Sequence, residues 1–80
     1  MFVHVVEARH LGACRVWLRF NDGVEGEVDL AAELEGEVFE PLKVPAVFER
    51  FTVDDTLEWP NGADFAPEFL HDLVVSSRAA

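Results

Sequence analysis

Glu68 and His71 stand three residues apart, a spacing that puts both side chains on one helix face and that carboxylate-bridged metal centres use. With Asp64 and Asp72 close by, they are the obvious place to look for chemistry. Such centres carry the motif twice, on facing helices, with further carboxylates. Here it occurs once. The simpler reading covers every residue: Asp64 ties down a turn, Glu68 favours a helix N-terminus through the dipole, and His71 and Asp72 face solvent. No catalytic residue, metal site or cofactor is therefore assigned. The alternative is a small-molecule or metal sensor, or an enzyme, with its site near Asp64 and His71. It requires those two side chains to converge on one hollow.

Nucleophiles are no better supplied. Cys14 lies on an apolar face, where a thiol is usually inert, and as the single cysteine it excludes an internal disulfide. His4, on a mostly apolar strand face without clustered partners, reads as a satisfied or rim histidine. A phosphate-cradling glycine loop, a dinucleotide fingerprint and the local signatures of a Ser-His-Asp triad are all missing from the sequence. The dense acids from Glu25 to Glu40 do not follow the calcium-loop pattern.

Charge is the strongest global signal. Six Lys and Arg against 16 Asp and Glu give a net charge of -10, which repels phosphate backbones and excludes direct nucleic-acid binding as an expectation. Half the residues are hydrophobic, and seven Phe with two Trp supply apolar surface to bury, so the acidity does not imply disorder. No apolar run approaches the length of a membrane span, and the first residues lack a basic and apolar leader pattern. A cytoplasmic protein with no membrane partner is expected. At 80 residues, one small core is available, so a homodimer is expected as well.

The elements follow from periodicity. Residues 2 to 9 alternate imperfectly and predict a strand with Phe2, His4, Val6 and Ala8 inward, then a turn at His10-Leu11-Gly12-Ala13. The clearest alternation comes next: Cys14, Val16, Leu18 and Phe20 against Arg15, Trp17 and Arg19. Beyond Asn21-Asp22-Gly23, Val24, Gly26, Val28 and Leu30 oppose Glu25, Glu27 and Asp29. A two-residue loop would set Phe20 against Glu25 and Leu18 against Glu27. A three-residue loop with Gly23 in the left-handed region pairs Phe20 with Val24, Leu18 with Gly26 and Val16 with Val28. It also pairs Arg19 with Glu25, Trp17 with Glu27 and Arg15 with Asp29, so the three-residue loop is predicted.

Arg15, Trp17, Arg19, Glu25 and Glu27 then share one face, and Trp and Arg are the residue types enriched at binding hot spots. They are the candidate partner-binding residues. The competing reading lays Trp17 under the arginine stems on a solvated face.

Downstream, Asp29 to Gly36 predicts a short helix with Asp29 as N-cap and Gly36 as its stop. A connector, Glu37 to Leu42, leads to a second short helix over Ala46 to Arg50, opened by Pro45 and presenting Val47, Phe48 and Phe51. Thr52-Val53-Asp54 and Thr56 to Trp59 predict two short strands about an Asp54-Asp55 turn. A final helix from Pro67 to Val75 carries Phe69, Leu70, Leu73 and Val74 as its apolar stripe. Before it, Trp59-Pro60-Asn61-Gly62 makes a turn, in which Pro60 extends Trp59 and Asn61-Gly62 tolerates positive φ. The whole is an α+β fold: a small antiparallel sheet, a meander of N-terminal strands plus short later strands, with two short helices and a C-terminal helix. Residues 1–75 form a single domain and residues 76–80 a frayed tail.

These words carry a resemblance. Leu18-Arg19-Phe20-Asn21-Asp22-Gly23, Val28-Asp29-Leu30, Val38-Phe39-Glu40-Pro41-Leu42, Phe48 and above all Trp59-Pro60-Asn61-Gly62-Ala63-Asp64-Phe65-Ala66-Pro67-Glu68-Phe69-Leu70 resemble the bacterial "domain of unknown function 2442" family. In that comparison Trp59, Pro60, Asn61, Gly62, Asp64, Pro67 and Glu68 are structural marks of the family. The resemblance implies a small cytosolic α+β domain, in some members preceding a helix-turn-helix DNA-binding module and in some encoded beside another small domain. It implies a paired, antitoxin-like role and supplies no catalytic residues. The functional expectation is a non-enzymatic interaction domain, homodimeric, whose acidic surface masks a basic partner protein.

Overall fold

The computed structural model describes the backbone of residues 2–79 and the side chains of residues 2–76. Its organising unit is a hairpin in which Arg15–Phe20 (β2) and Glu25–Asp29 (β3) pair antiparallel. Arg15 faces Asp29, Val16 faces Val28, Trp17 faces Glu27, Leu18 faces Gly26 and Arg19 faces Glu25, as the three-residue loop requires. Phe20 N–H donates to Val24 O (2.9 Å), Gly23 N–H donates to Phe20 O (3.0 Å), and Gly23 has φ +89°. Asp22 Oδ1 accepts from Val24 N–H at 3.0 Å and completes the loop. The side chains therefore divide: Val16, Leu18, Phe20 and Val28 are buried, while Arg15, Arg19, Glu25, Glu27 and Asp29 are exposed.

Val5–Gly12 (β1) pairs with β2 on its other side and corrects the predicted first strand. Val5 is buried, whereas Phe2 and Val6 are 87% and 44% exposed, the reverse of the expected orientation. The register shifts between Val5 and Glu7, so Val6 is an extra residue in a bulge. The bulge explains the imperfect alternation: Val5 and Ala8 both oppose core residues, Phe20 and Leu18, although three positions separate them. The strand also runs on through His10 and Leu11, where a turn was expected. His10 opposes Val16, its Nε2 lies 2.8 Å from Ala13 O, and its ring packs on Phe48 at 5.6 Å.

The segment after β3 is less helical than expected. Asp29 Oδ1 accepts from Ala31 N–H at 2.9 Å, but only Ala31–Glu33 follows, as a single 3₁₀ turn. Leu30 and Leu34 are both buried at its ends, and Gly36 at φ +95° redirects the chain. A second 3₁₀ turn, Glu40–Lys43, buries Leu42, and Pro45–Phe48 (α1) is one turn of α-helix opened by its proline. Thr52–Val53 (β4) and Leu57–Glu58 (β5) form a separate two-stranded ribbon around Asp54-Asp55, as predicted. Val5 N–H donates to Asp55 O at 2.9 Å and ties the ribbon to β1.

Pro67–Ala79 (α2) packs along β3, with Leu70 and Val74 fully buried beside the sheet. Its backbone stays helical through residue 79, so the expected tail at 76–80 is largely an extension of the helix, and Ala80 lies outside the described residues. One core results, formed by the inner face of the three-stranded sheet, the 3₁₀ turns, α1 and α2.

Candidate functional site

Two places carry the sequence-based candidates: the turn before α2 and the outer face of the sheet. The turn repeats the β2–β3 loop in every bond. Trp59 N–H donates to Ala63 O (2.9 Å), Gly62 N–H donates to Trp59 O (3.0 Å), and Gly62 has φ +90°. Asn61 Oδ1 accepts from Ala63 N–H at 3.1 Å, as Asp22 does from Val24. The side-chain bond of this turn is thus made by Asn61, a role the sequence reading gave to Asp64. Asn61 Nδ2 also donates to Val38 O at 2.8 Å, pinning the connector to the turn. Trp59 is buried, and its Nε1–H donates to Phe48 O at 2.8 Å while its ring meets Phe48, Phe51 and Phe65. Phe65 continues the chain of rings to Phe39 and Phe69, and Thr56 Oγ1 donates to Phe65 O. Trp59, Pro60, Asn61 and Gly62 therefore act as architecture, fixing how α2 leaves the ribbon.

The proposed convergence of Asp64 and His71 does not occur. Asp64 bridges Glu58 through its backbone and borders a hollow of about 130 Å³ with Glu58, Trp59, Gly62 and Ala63, which His71 does not line. His71 turns instead to the β2–β3 loop. Its Nε2 stands 2.8 Å from Asp22 Oδ2 and its ring meets Phe20 edge-on at 5.0 Å. The expectation that His71 faces solvent is corrected accordingly; it is half-buried and clamps α2 to the hairpin. The Val24 N–H bond, reinforced by His71, holds the Asp22 carboxyl below its ordinary range. Glu68 and Asp72 are exposed on α2. Among the described residues no group of three His, Cys, Asp or Glu side chains is placed to hold a metal ion. Cys14 is buried in the core, and desolvation, with the nearby charge of Asp29, pushes its thiol up.

The outer face does assemble. Paired with Arg19 and Trp17, Glu7 and Arg9 join Arg15, Trp17, Arg19, Glu25, Glu27 and Asp29 on it, the outward side of β1 that the alternation assigned them. Arg9 lies over the Trp17 ring, with its guanidinium carbon 5.4 Å from the centroid. Arg19 and Arg9 reach the two oxygens of Glu7 at 2.9 and 3.0 Å, and Arg15 donates to Glu27 Oε1 at 2.6 Å. Exposed pairs of this kind add little stability, so what the face offers is an ordered charge pattern around a half-buried tryptophan. The sequence reading had Glu7 and Arg9 outward but did not join them to the candidate face; pairing β1 with β2, which sets them against Arg19 and Trp17, would have done so.

Beside this face a groove of about 430 Å³ runs between β3 and α2, lined by Arg15, Glu27, Val28, Asp29, Leu73 and Ser76. A second, more apolar hollow of about 200 Å³ lies between α1 and the Trp59 turn.

In comparisons with known proteins, a family model described as "protein of unknown function (DUF2442)" matches residues 5–75. No curated protein and no solved structure matches the chain.

Proposed function

Because this chain belongs to the DUF2442 family, described as proteins of unknown function, its role has to be read from its own surface, and we propose a non-enzymatic protein-interaction domain whose acidic surface masks a basic partner in the manner of an antitoxin. It works in the cytoplasm as a homodimer, through protein contacts and without direct nucleic-acid binding. The observation that carries this reading is how the charge is divided. Of the five Lys and Arg side chains described, Arg9, Arg15, Arg19 and Lys43 are already held by Glu7, Glu27 and Glu40 and Arg50 alone is not, whereas Glu25, Glu33, Glu35, Glu37, Asp54 and Asp55 have no cation partner among the described residues. A net charge of -10 is thus left for a partner to complement. The outer sheet face, Arg15, Trp17, Arg19, Glu25 and Glu27, is the contact surface, since the core elements pack on the opposite face and leave it to solvent.

Sedimentation analysis of the wild type and Trp17→Ala tests the use of this face. The variant is expected to keep its circular dichroism spectrum and lose association. An unchanged mass distribution would remove the face from the proposal.

A further inference from the structure

We propose that the groove between β3 and α2 takes an extended basic segment of the partner protein, added to the sheet as a fourth strand. The inference rests on the interaction reading above and identifies the form of the ligand. The sheet runs β1-β2-β3, so β3 is a terminal strand. Its bonds to β2 begin with Phe20 N–H to Val24 O and continue past the strand with Leu30 N–H to Cys14 O, so the alternation of an antiparallel ladder commits Gly26 and Val28 to β2. The backbone N–H and C=O groups of Glu25, Glu27 and Asp29 therefore point away from the sheet. They have no backbone partner among the described residues. An edge strand flanked by a helix, with a groove between them, is the arrangement used for peptide recognition by strand addition.

Side-chain chemistry selects the occupant. On the outer face every residue of β3 is acidic, and while Glu27 is held by Arg15 at the groove's border, Glu25 and Asp29 have no cation partner among the described residues. On the inner side the groove is bordered by Val28 and Leu73. A strand laid along β3 would place alternate residues beside the carboxylates and the rest beside that apolar border, so it should alternate Lys or Arg with aliphatic residues. A second copy fits poorly. Two β3 strands paired antiparallel about a two-fold axis would set acid against acid along the outer face, which is unfavourable.

The test uses a synthetic peptide of alternating lysine and valine, its counterpart N-methylated at the positions that would donate to β3, and the ¹⁵N-labelled full chain. The unmodified peptide is expected to shift the amides of Glu25, Glu27 and Asp29 and to slow their exchange. N-methylation is expected to weaken binding by at least about tenfold, because backbone hydrogen bonds are lost at constant charge. Glu27→Pro should have the same effect from the protein side, removing an outward N–H without breaking the ladder to β2. Equal binding of both peptides, or shifts centred on Glu33, Glu35 and Glu37, would overturn strand addition and leave an acidic interaction domain standing. Failure of the unmodified peptide to bind overturns it too. Concentration-dependent slowing of exchange at the Glu25, Glu27 and Asp29 amides without peptide, retained in Trp17→Ala, would assign the edge to a second copy and overturn the basic occupant.

Discussion

At the scale of single residues, two side chains do more than their neighbours suggested. Trp59 fills the junction between α1, β5 and α2, and its one polar atom is satisfied by Phe48 O at 2.8 Å. Trp59→Phe keeps an aromatic ring and strands that carbonyl, so a loss of ~1–2 kcal/mol is expected in urea denaturation without a change of fold. Asp22 closes the β2–β3 loop and meets His71. Its folded pKa is depressed, first by the Val24 N–H bond and further by His71, so its contribution to stability is present above the unfolded carboxylate pKa of about 3.9 and is lost as pH falls through the folded value. Asp22→Asn should flatten the acid limb of a stability–pH curve, measured by denaturation at successive pH values. A second consequence concerns Cys14: a buried thiol with a raised pKa should react with a thiol reagent at neutral pH only as fast as the protein opens, a rate read by comparison with the unfolded chain. His71 is where the sequence was least legible. Its partner lies 49 positions away, so no local pattern could have moved it from the solvent face of a helix to the hairpin loop.

Elements show the opposite balance. The β2–β3 register was readable in full, because alternation on both strands and the chemistry of Asn21-Asp22-Gly23 agreed on one loop length. The recurrence of that bond pattern at Trp59-Pro60-Asn61-Gly62-Ala63 makes the two turns an internal control. Gly23 and Gly62 both sit near φ +90°, and a Cβ added at either would meet nothing within 4 Å. Alanine at each site should therefore cost about 1 kcal/mol through backbone conformation alone, and similarly in both, by urea denaturation. Asn61→Ala should cost more than Gly62→Ala, since it removes bonds to both Ala63 and Val38. What defeated the pattern was one extra residue. Val6 bulges out of β1, and a period-two reading that assumes a regular strand then turns Phe2, Val6 and Val5 to the wrong faces. The Asp29–Gly36 segment failed differently: its cap and stop residues are present, but Leu30 and Leu34 are both drawn into the core and leave room for one 3₁₀ turn.

For the whole molecule, the sheet separates two kinds of surface. Its inner face holds the core, and its outer face holds paired charges around Trp17. The family motif sends Trp59, Ala63, Phe65 and Leu70 into the core, while none of the acids that set the net charge of -10 is buried. That separation was visible in the sequence as the two-toned hairpin, but which face met solvent became definite only once α2 was seen packed along β3. Under the proposed function, a domain so divided acts by what it covers. The most direct measurement is recovery of the chain from its native host at physiological salt, with every co-purifying protein identified. The account predicts a basic partner that high salt releases, as charge complementarity requires. A chain that emerges alone and monomeric would contradict it.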